Sequence, residues 1–232
     1  MQLIRLAQPL RSALVLLAMI FGLAACHAPE DLRTEPELLV DKAAATAKSM
    51  YGDPEFATLL NLTNRARAVM IIPSMLRASF IWGARTGSGV LLVKDQNGGG
   101  WSQPAFYTLG GVNWGLQAGV QDQRIIVVIM TERGLNAVLD RRATLGADAS
   151  VAAGELGKGY NAATGVGLNA DMYTFAKTSG LYAGISLDGS WIQPRDSWNK
   201  IMYGDAATVR GIVVDRSFSN SERTQSLVST MP

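Results

Sequence analysis

The sequence predicts an α+β fold: one curved or barrel-like, mainly antiparallel β-sheet with an N-terminal helical pair and one or two further helices. Three observations carry this expectation. A helix-start signature, Thr34-Glu35-Pro36-Glu37, opens the part of the chain that follows a short apolar leader. From Ala68 onward, β-prone runs are punctuated by glycine. The composition, 48% hydrophobic and 17% charged with 24 glycines in 232 residues, describes a turn-rich chain large enough to bury one proper core.

The leader comes first. Met1 to Arg11 carries two positive charges, Arg5 and Arg11, and no acid, and the apolar run from Ser12 to Gly22 is shorter than the ~20 residues of a membrane span. That is the layout of a signal peptide. The run ends in Leu23-Ala24-Ala25-Cys26, which resembles the bacterial lipobox, in which the cysteine is acylated and becomes the new N-terminus. Cys26 is the only cysteine and therefore has no intramolecular disulfide partner. By resemblance to Gram-negative sorting rules, His27 in place of Asp after the cysteine implies the periplasmic face of the outer membrane. The predicted organisation is a signal peptide over 1–25, a lipid-anchored tether over 26–34, one domain over 35–216 and a disordered, Ser/Thr/Asn/Gln-rich tail over 217–232.

Within the domain, a helix is expected from Glu35 to Met50, with its acids in the N-terminal half and Lys48 near the end, as the macrodipole favours. Gly52-Asp53-Pro54 breaks it, and a second helix runs from Pro54 to Arg67. Strands are expected at Val69–Ile72, Phe80–Trp82, Gly89–Val93, Ala105–Thr108, Trp114–Gln117 and Ile125–Met130, the last apolar throughout, as for a strand covered on both faces. Thr131 can cap a helix over Glu132–Arg141. Further strands follow near Ala149–Ala153, Met172–Ala176, Gly180–Leu187 and Ser190–Ile192, with a last helix between Asp196 and Tyr203.

Several function classes lose support. Without the leader's two arginines, 19 basic residues face 19 acidic ones, with no basic cluster, so a nucleic-acid partner is not expected. The one histidine, His27, lies in the tether, which removes a Ser-His-Asp triad and a histidine-based metal site from the core. Asp148, Asp171 and Asp188 sit beside glycine or small residues, where aspartate usually supports a turn. Gly157-Lys158-Gly159 and Gly165-Val166-Gly167 lack the spacing of a dinucleotide loop. No cofactor, metal or catalytic residue is expected, and the protein is read as not an enzyme. The five tryptophans, Trp82, Trp101, Trp114, Trp191 and Trp198, suit a β core or its rim better than a membrane belt or sugar platform.

Four segments resemble the SYLF lipid-binding domain family: Gly87-Ser-Gly-Val-Leu-Leu-Val93; Trp101-Ser-Gln-Pro-Ala-Phe106 with Trp114-Gly-Leu-Gln-Ala-Gly119; Leu145-Gly-Ala-Asp-Ala-Ser-Val-Ala-Ala-Gly154; and Ser179 to Ser190. They fall in family order and cover most of residues 68 to 204. The resemblance implies a domain that binds anionic phospholipids, with eukaryotic members acting on phosphoinositides, some on actin, and bacterial members often carried as lipoproteins. Phosphatidic acid or phosphatidylglycerol is the expected ligand of this chain, and actin binding is not carried over. Arg77 and Lys177 match basic family positions, whereas Ser79 replaces a family glycine and Ser179 a second family cation. The lipid-binding candidates are Arg77, Lys177, Arg85 and Lys94, each of which could instead be a solvated surface charge, and Cys26 is the attachment site. The expected function is head-group recognition by a membrane-anchored periplasmic lipoprotein. The alternative is a cell-envelope protein-interaction module without lipid specificity.

Overall fold

The computed structural model describes residues 34–79, 82–114, 119–139, 142–154, 170–178, 181–182 and 187–232. The leader, Cys26, the tether up to Arg33 and the two Gly-X-Gly pairs lie outside them.

Helix α1 (Glu35–Tyr51) starts where the capping signature placed it. The Thr34 backbone N–H donates to the Glu37 carboxylate at 2.6 Å, and the Thr34 hydroxyl donates to the same oxygen at 2.7 Å. After Gly52, Asp53 accepts from the Glu55 N–H at 3.0 Å and caps a 3-10 turn, Pro54–Phe56, which leads into α2 (Ala57–Arg65). The chain then enters the sheet: β1 (Ala68–Ser79), β2 (Trp82–Val93), β3 (Ala105–Trp114) and β4 (Gly119–Ile129). There follow α3 (Glu132–Leu139), β5 (Ala143–Thr144), β6 (Val151–Ala153), β7 (Met172–Thr178), β8 (Leu181–Tyr182) and β9 (Trp191–Pro194). Helices α4 (Asp196–Tyr203), α5 (Val209–Val213) and α6 (Ser221–Val228) close the chain.

The nine strands form one curled, half-barrel sheet in the order β5-β9-β3-β2-β1-β4-β7-β6, with β8 on β7. Among the described residues its strand pairings are antiparallel except β6 with β7. Alternation along each strand sends side chains to two buried clusters, one per face. Met70, Ile72, Met75, Leu91, Tyr107, Ile125 and Val127 pack with α3 and α5 on one side, the α3 face. Val69, Ile71, Leu92, Phe106, Ile126, Val128 and Phe175 pack with α1, α2, α4 and α6 on the other, the α1 face. As far as the described residues go, both clusters lie within the compact unit Thr34–Pro232.

Strand β1 is bulged around Pro73, between Ile72 and Met75, where proline has no N–H to give the ladder. Gly87 and Gly89 of β2 pass close to the bulge: a Cβ would come within 2.8 Å of the Ser74 carbonyl at one and 2.9 Å of the Ile71 carbonyl at the other.

Several expectations are corrected. The short strands expected at Phe80–Trp82 and Trp114–Gln117 lie mostly outside the described residues; of them Trp82 opens β2 and Trp114 closes β3. Of the strand expected at Gly180–Leu187, Leu181–Tyr182 is a strand, and 180 and 183–186 lie outside the described residues. Four described helices follow the N-terminal pair, where one or two were expected. Residues 217–232 are not disordered: Leu227 of α6 is fully buried in the α1-face cluster. Arg223 pairs with Glu37 at 2.9 Å, and the Trp101 indole donates to the Pro232 carbonyl at 2.7 Å. These polar contacts hold a segment whose composition lacks the usual apolar stripe.

Candidate functional site

The four candidate cations do not converge. Lys94 sits at the far end of β2, where it bridges to Trp101; its ammonium donates to the Asn64 carbonyl at 3.0 Å and stands 5.3 Å from the Trp101 ring centre. It lies nine residues along the strand from Arg85, roughly 30 Å at a strand's rise. Lys177 follows Phe175 on the α1 face, where its ammonium is 2.7 Å from the Asp53 carboxylate and 5.8 Å from the Phe56 ring centre. The hydrogen bond from Lys177 is the main reason the Asp53 carboxyl is held below its usual range.

Arg77 and Arg85 are brought together. They are direct register partners on β1 and β2, and Arg77 is also opposite Gln121 of β4. Both follow the parity of Met75 and Leu91 and so lie on the α3 face. Like charges directly opposite each other across a ladder repel. Both side chains are half-buried, which raises the electrostatic cost. Burial pulls the Arg85 guanidinium below its ordinary value, the Arg77 charge adds to the effect and Asp188 opposes it. A Cβ on Gly111, the partner of Arg85 on β3, would come within 3.1 Å of Arg85 Nε and of Ser190 Oγ. Glycine at that position leaves the room Arg85 occupies, beside the Asp188-Gly189-Ser190 turn. Among the described residues, the site is two adjacent guanidiniums near the Asp188 carboxylate, at the end of β1 and the start of β2.

The α3 face carries a second polar centre at the opposite end of its strands. Asp171, just before β7, is almost fully buried and accepts from Thr131 Oγ1 at 2.6 Å, from Arg133 Nε at 3.1 Å and from the Ser150 N–H and hydroxyl at 2.9 and 2.7 Å. A second Arg133 nitrogen also donates to it. Arg133 first, then Thr131 and Ser150, outweigh burial and hold this carboxyl far below the ordinary range. An aspartate locked as an anion by five donors has no proton to give and little basicity, so the arrangement is a brace between α3, β6 and β7. Asp148 is tied to the Thr144 N–H at 2.6 Å as a turn residue. Among the described residues, no three His, Cys, Asp or Glu side chains gather as a metal site.

Sequence reasoning missed two further polar anchors. Asn199 of α4 is buried, accepts from the Phe106 N–H at 2.8 Å and donates to the Phe106 carbonyl at 3.3 Å. Arg195 stacks 3.6 Å from the Trp198 ring centre and donates to Ser88 Oγ at 3.0 Å. The only prior signal was the Arg195-to-Asn199 spacing at the start of a helix.

A family model described as Ysc84, Las17-binding protein actin regulator, matches residues 110–232, more than half of the chain. SH3 domain-containing YSC84-like protein 1 of Xenopus laevis is 33% identical over 179 residues, which cover 76% of this chain and 52% of the relative. LAS seventeen-binding protein 3 of Saccharomyces cerevisiae is 31% identical over 159 residues, 67% of this chain and 34% of the relative. Protein YSC84 of the same yeast is 33% identical over 156 residues, 66% of this chain and 33% of the relative. The chain spans about half or less of the length of these relatives. The family description and the name LAS seventeen-binding protein 3 are those of binding and regulatory proteins.

Proposed function

The chain belongs to the Ysc84 (SYLF) family, and from that membership we propose that its domain is a non-catalytic module that binds anionic phospholipid head groups, held at the periplasmic face of the outer membrane by an acylated Cys26. The observation that carries the head-group reading is the Arg77–Arg85 cross-strand pair. Two half-buried guanidiniums side by side repel each other, and a phosphate accepting hydrogen bonds from both would offset that repulsion with the bidentate geometry arginine favours. Asp188 supplies part of the compensation.

The anchoring reading rests on the leader and on Leu23-Ala24-Ala25-Cys26. Each buried acyl methylene contributes ~0.8 kcal/mol, so several chains hold a protein at a bilayer where one does not. A domain tethered a few residues from its own membrane meets head groups at high effective concentration, so even weak binding suffices. Phosphatidylglycerol and phosphatidic acid are the proposed ligand class, since each presents a phosphate that two adjacent guanidiniums can share.

The test is flotation of residues 34–232 with vesicles of phosphatidylcholine alone or mixed with phosphatidylglycerol or phosphatidic acid. The expected result is co-flotation with the anionic vesicles only, weakening as salt rises, because exposed charges are screened over about 8 to 10 Å. A domain that ignores every anionic vesicle yet retains envelope proteins after crosslinking would overturn this reading in favour of a protein-interaction module.

A further inference from the structure

The end of the sheet that holds the arginine pair has a second, different face. On the α1 side of the same strands, Leu76 is 47% exposed and Val112 is 72% exposed. Ala84 is exposed as well, and it is the direct register partner of Val112. Leu76 is opposite Thr86 one step below. The last register pair of β2 with β3 is Trp82–Trp114.

We infer that this open sheet end enters the membrane interface, with Leu76, Ala84 and Val112 against the lipid surface and Arg77 and Arg85 at phosphate level on the opposite side of the strands. The inference rests on the head-group reading above and adds the orientation and depth of the bound domain. Leu76 is adjacent to Arg77 and Ala84 to Arg85, so the apolar and cationic side chains lie at the same height on opposite faces. Arg85 is three residues from Trp82, about 10 Å along a strand. Each interfacial layer of a bilayer is roughly 5 to 7 Å deep. A tilted sheet end that enters to the depth of the start of β2 therefore brings both guanidiniums to the phosphates.

Charge on the apolar side agrees with an anionic surface. Arg124 of β4 is exposed on the α1 face, and Arg142 stands 5.0 Å from the Trp191 ring centre on the other flank. Asp122, opposite Leu76, is engaged by the Ser74 hydroxyl at 2.7 Å. A second copy of the chain is the competing occupant. Three small or medium apolar side chains fall well short of the ~800 Å² per partner of a stable interface, which favours the bilayer.

Because Cys26 is the only cysteine, residues 34–232 have none, and single cysteines can carry an environment-sensitive fluorophore. Leu76→Cys, Val112→Cys and Ile201→Cys are the positions, the last on α4 and 52% exposed. With phosphatidylglycerol-containing vesicles, labels at 76 and 112 should shift to the blue and brighten several-fold, while the label at 201 stays as in buffer. Flotation without any shift at 76 and 112 would overturn the insertion and leave head-group binding intact. Absence of flotation for the unlabelled domain would overturn both. A shift at all three positions, or one that grows with protein concentration in the absence of vesicles, would overturn the insertion in favour of non-specific adsorption or self-association respectively.

Discussion

Arg77 and Lys177 stand on opposite faces of the same sheet: Arg77 follows Met75 on the α3 face, and Lys177 follows Phe175 on the α1 face, where it is bound to Asp53. One phosphate cannot meet both. Their substitutions should therefore separate into two phenotypes. Arg77→Ala or Arg85→Ala should weaken flotation with phosphatidylglycerol vesicles by about tenfold, the loss of one charge-assisted bond, with thermal stability unchanged or improved by relief of the like-charge contact. Lys177→Ala should leave flotation as in the parent domain and lower the melting temperature. A flotation defect in Lys177→Ala at a temperature where it is fully folded would contradict the geometry.

Asn199 joins α4 to the sheet by satisfying the buried N–H of Phe106. Asn199→Ala leaves that donor without its partner, at a cost of about 1–3 kcal/mol. The Phe106 carbonyl keeps the Arg195 N–H at 2.8 Å, so the loss is confined to one group. Urea unfolding should show the drop, while Lys200→Ala, one exposed residue further on, should stay within ~0.5 kcal/mol of the parent.

Leu227 belongs to the core although the segment around it does not read as a core helix. Leu227→Ala should cost about 2–5 kcal/mol, as for other fully buried leucines. Removal of residues 221–232 should expose α1 to limited proteolysis, because α6 covers it through the Arg223–Glu37 pair and a Ser226–Asp41 hydrogen bond at 3.2 Å.

These cases mark how far the sequence could be read. Helix α1 was legible because Thr34 and Glu37 form a local signal, and β4 because Ile125 to Ile129 is apolar on both faces of a central strand. Helix α6 was not, since it is held by Thr224, Arg223 and the Pro232 carbonyl rather than by an apolar stripe. The face of Arg77 was hidden by the bulge at Pro73. Ile72 and Met75 share the α3 face although they are three residues apart. Simple alternation from Ile72 would have put Arg77 on the α1 face with Lys177, and the one-residue slip reverses that. The Arg77–Arg85 pair has the same origin, because register across a bulged hairpin is a tertiary fact.

The acylation proposed at Cys26 has its own test. Cys26→Ser should abolish incorporation of a labelled fatty acid and leave the precursor uncleaved at this position, because the lipoprotein route needs the thiol before the signal peptide is removed. The domain of residues 34–232, which lacks the thiol, should bind vesicles all the same. Label retained by the serine variant would show that Leu23-Ala24-Ala25-Cys26 is not a lipobox.

Asp171 gives the fold a defined acid sensitivity. Its carboxylate is held as an anion by Arg133, Thr131 and Ser150, so its folded-state pKa is depressed below the unfolded value of about 3.9. For a depressed acid, the stabilisation is complete above the unfolded pKa and is lost as pH falls toward the folded one. Asp171→Asn should therefore cost roughly 1–3 kcal/mol at neutral pH, and the gap between variant and parent should narrow steadily below about pH 4. Urea unfolding of both proteins across that range measures the gap directly. A gap that stays constant down to the lowest pH would assign the contribution to shape and neutral hydrogen bonds; a gap that closes assigns it to the charge that Arg133 pairs with, and makes this brace an early point of failure when the domain is acidified.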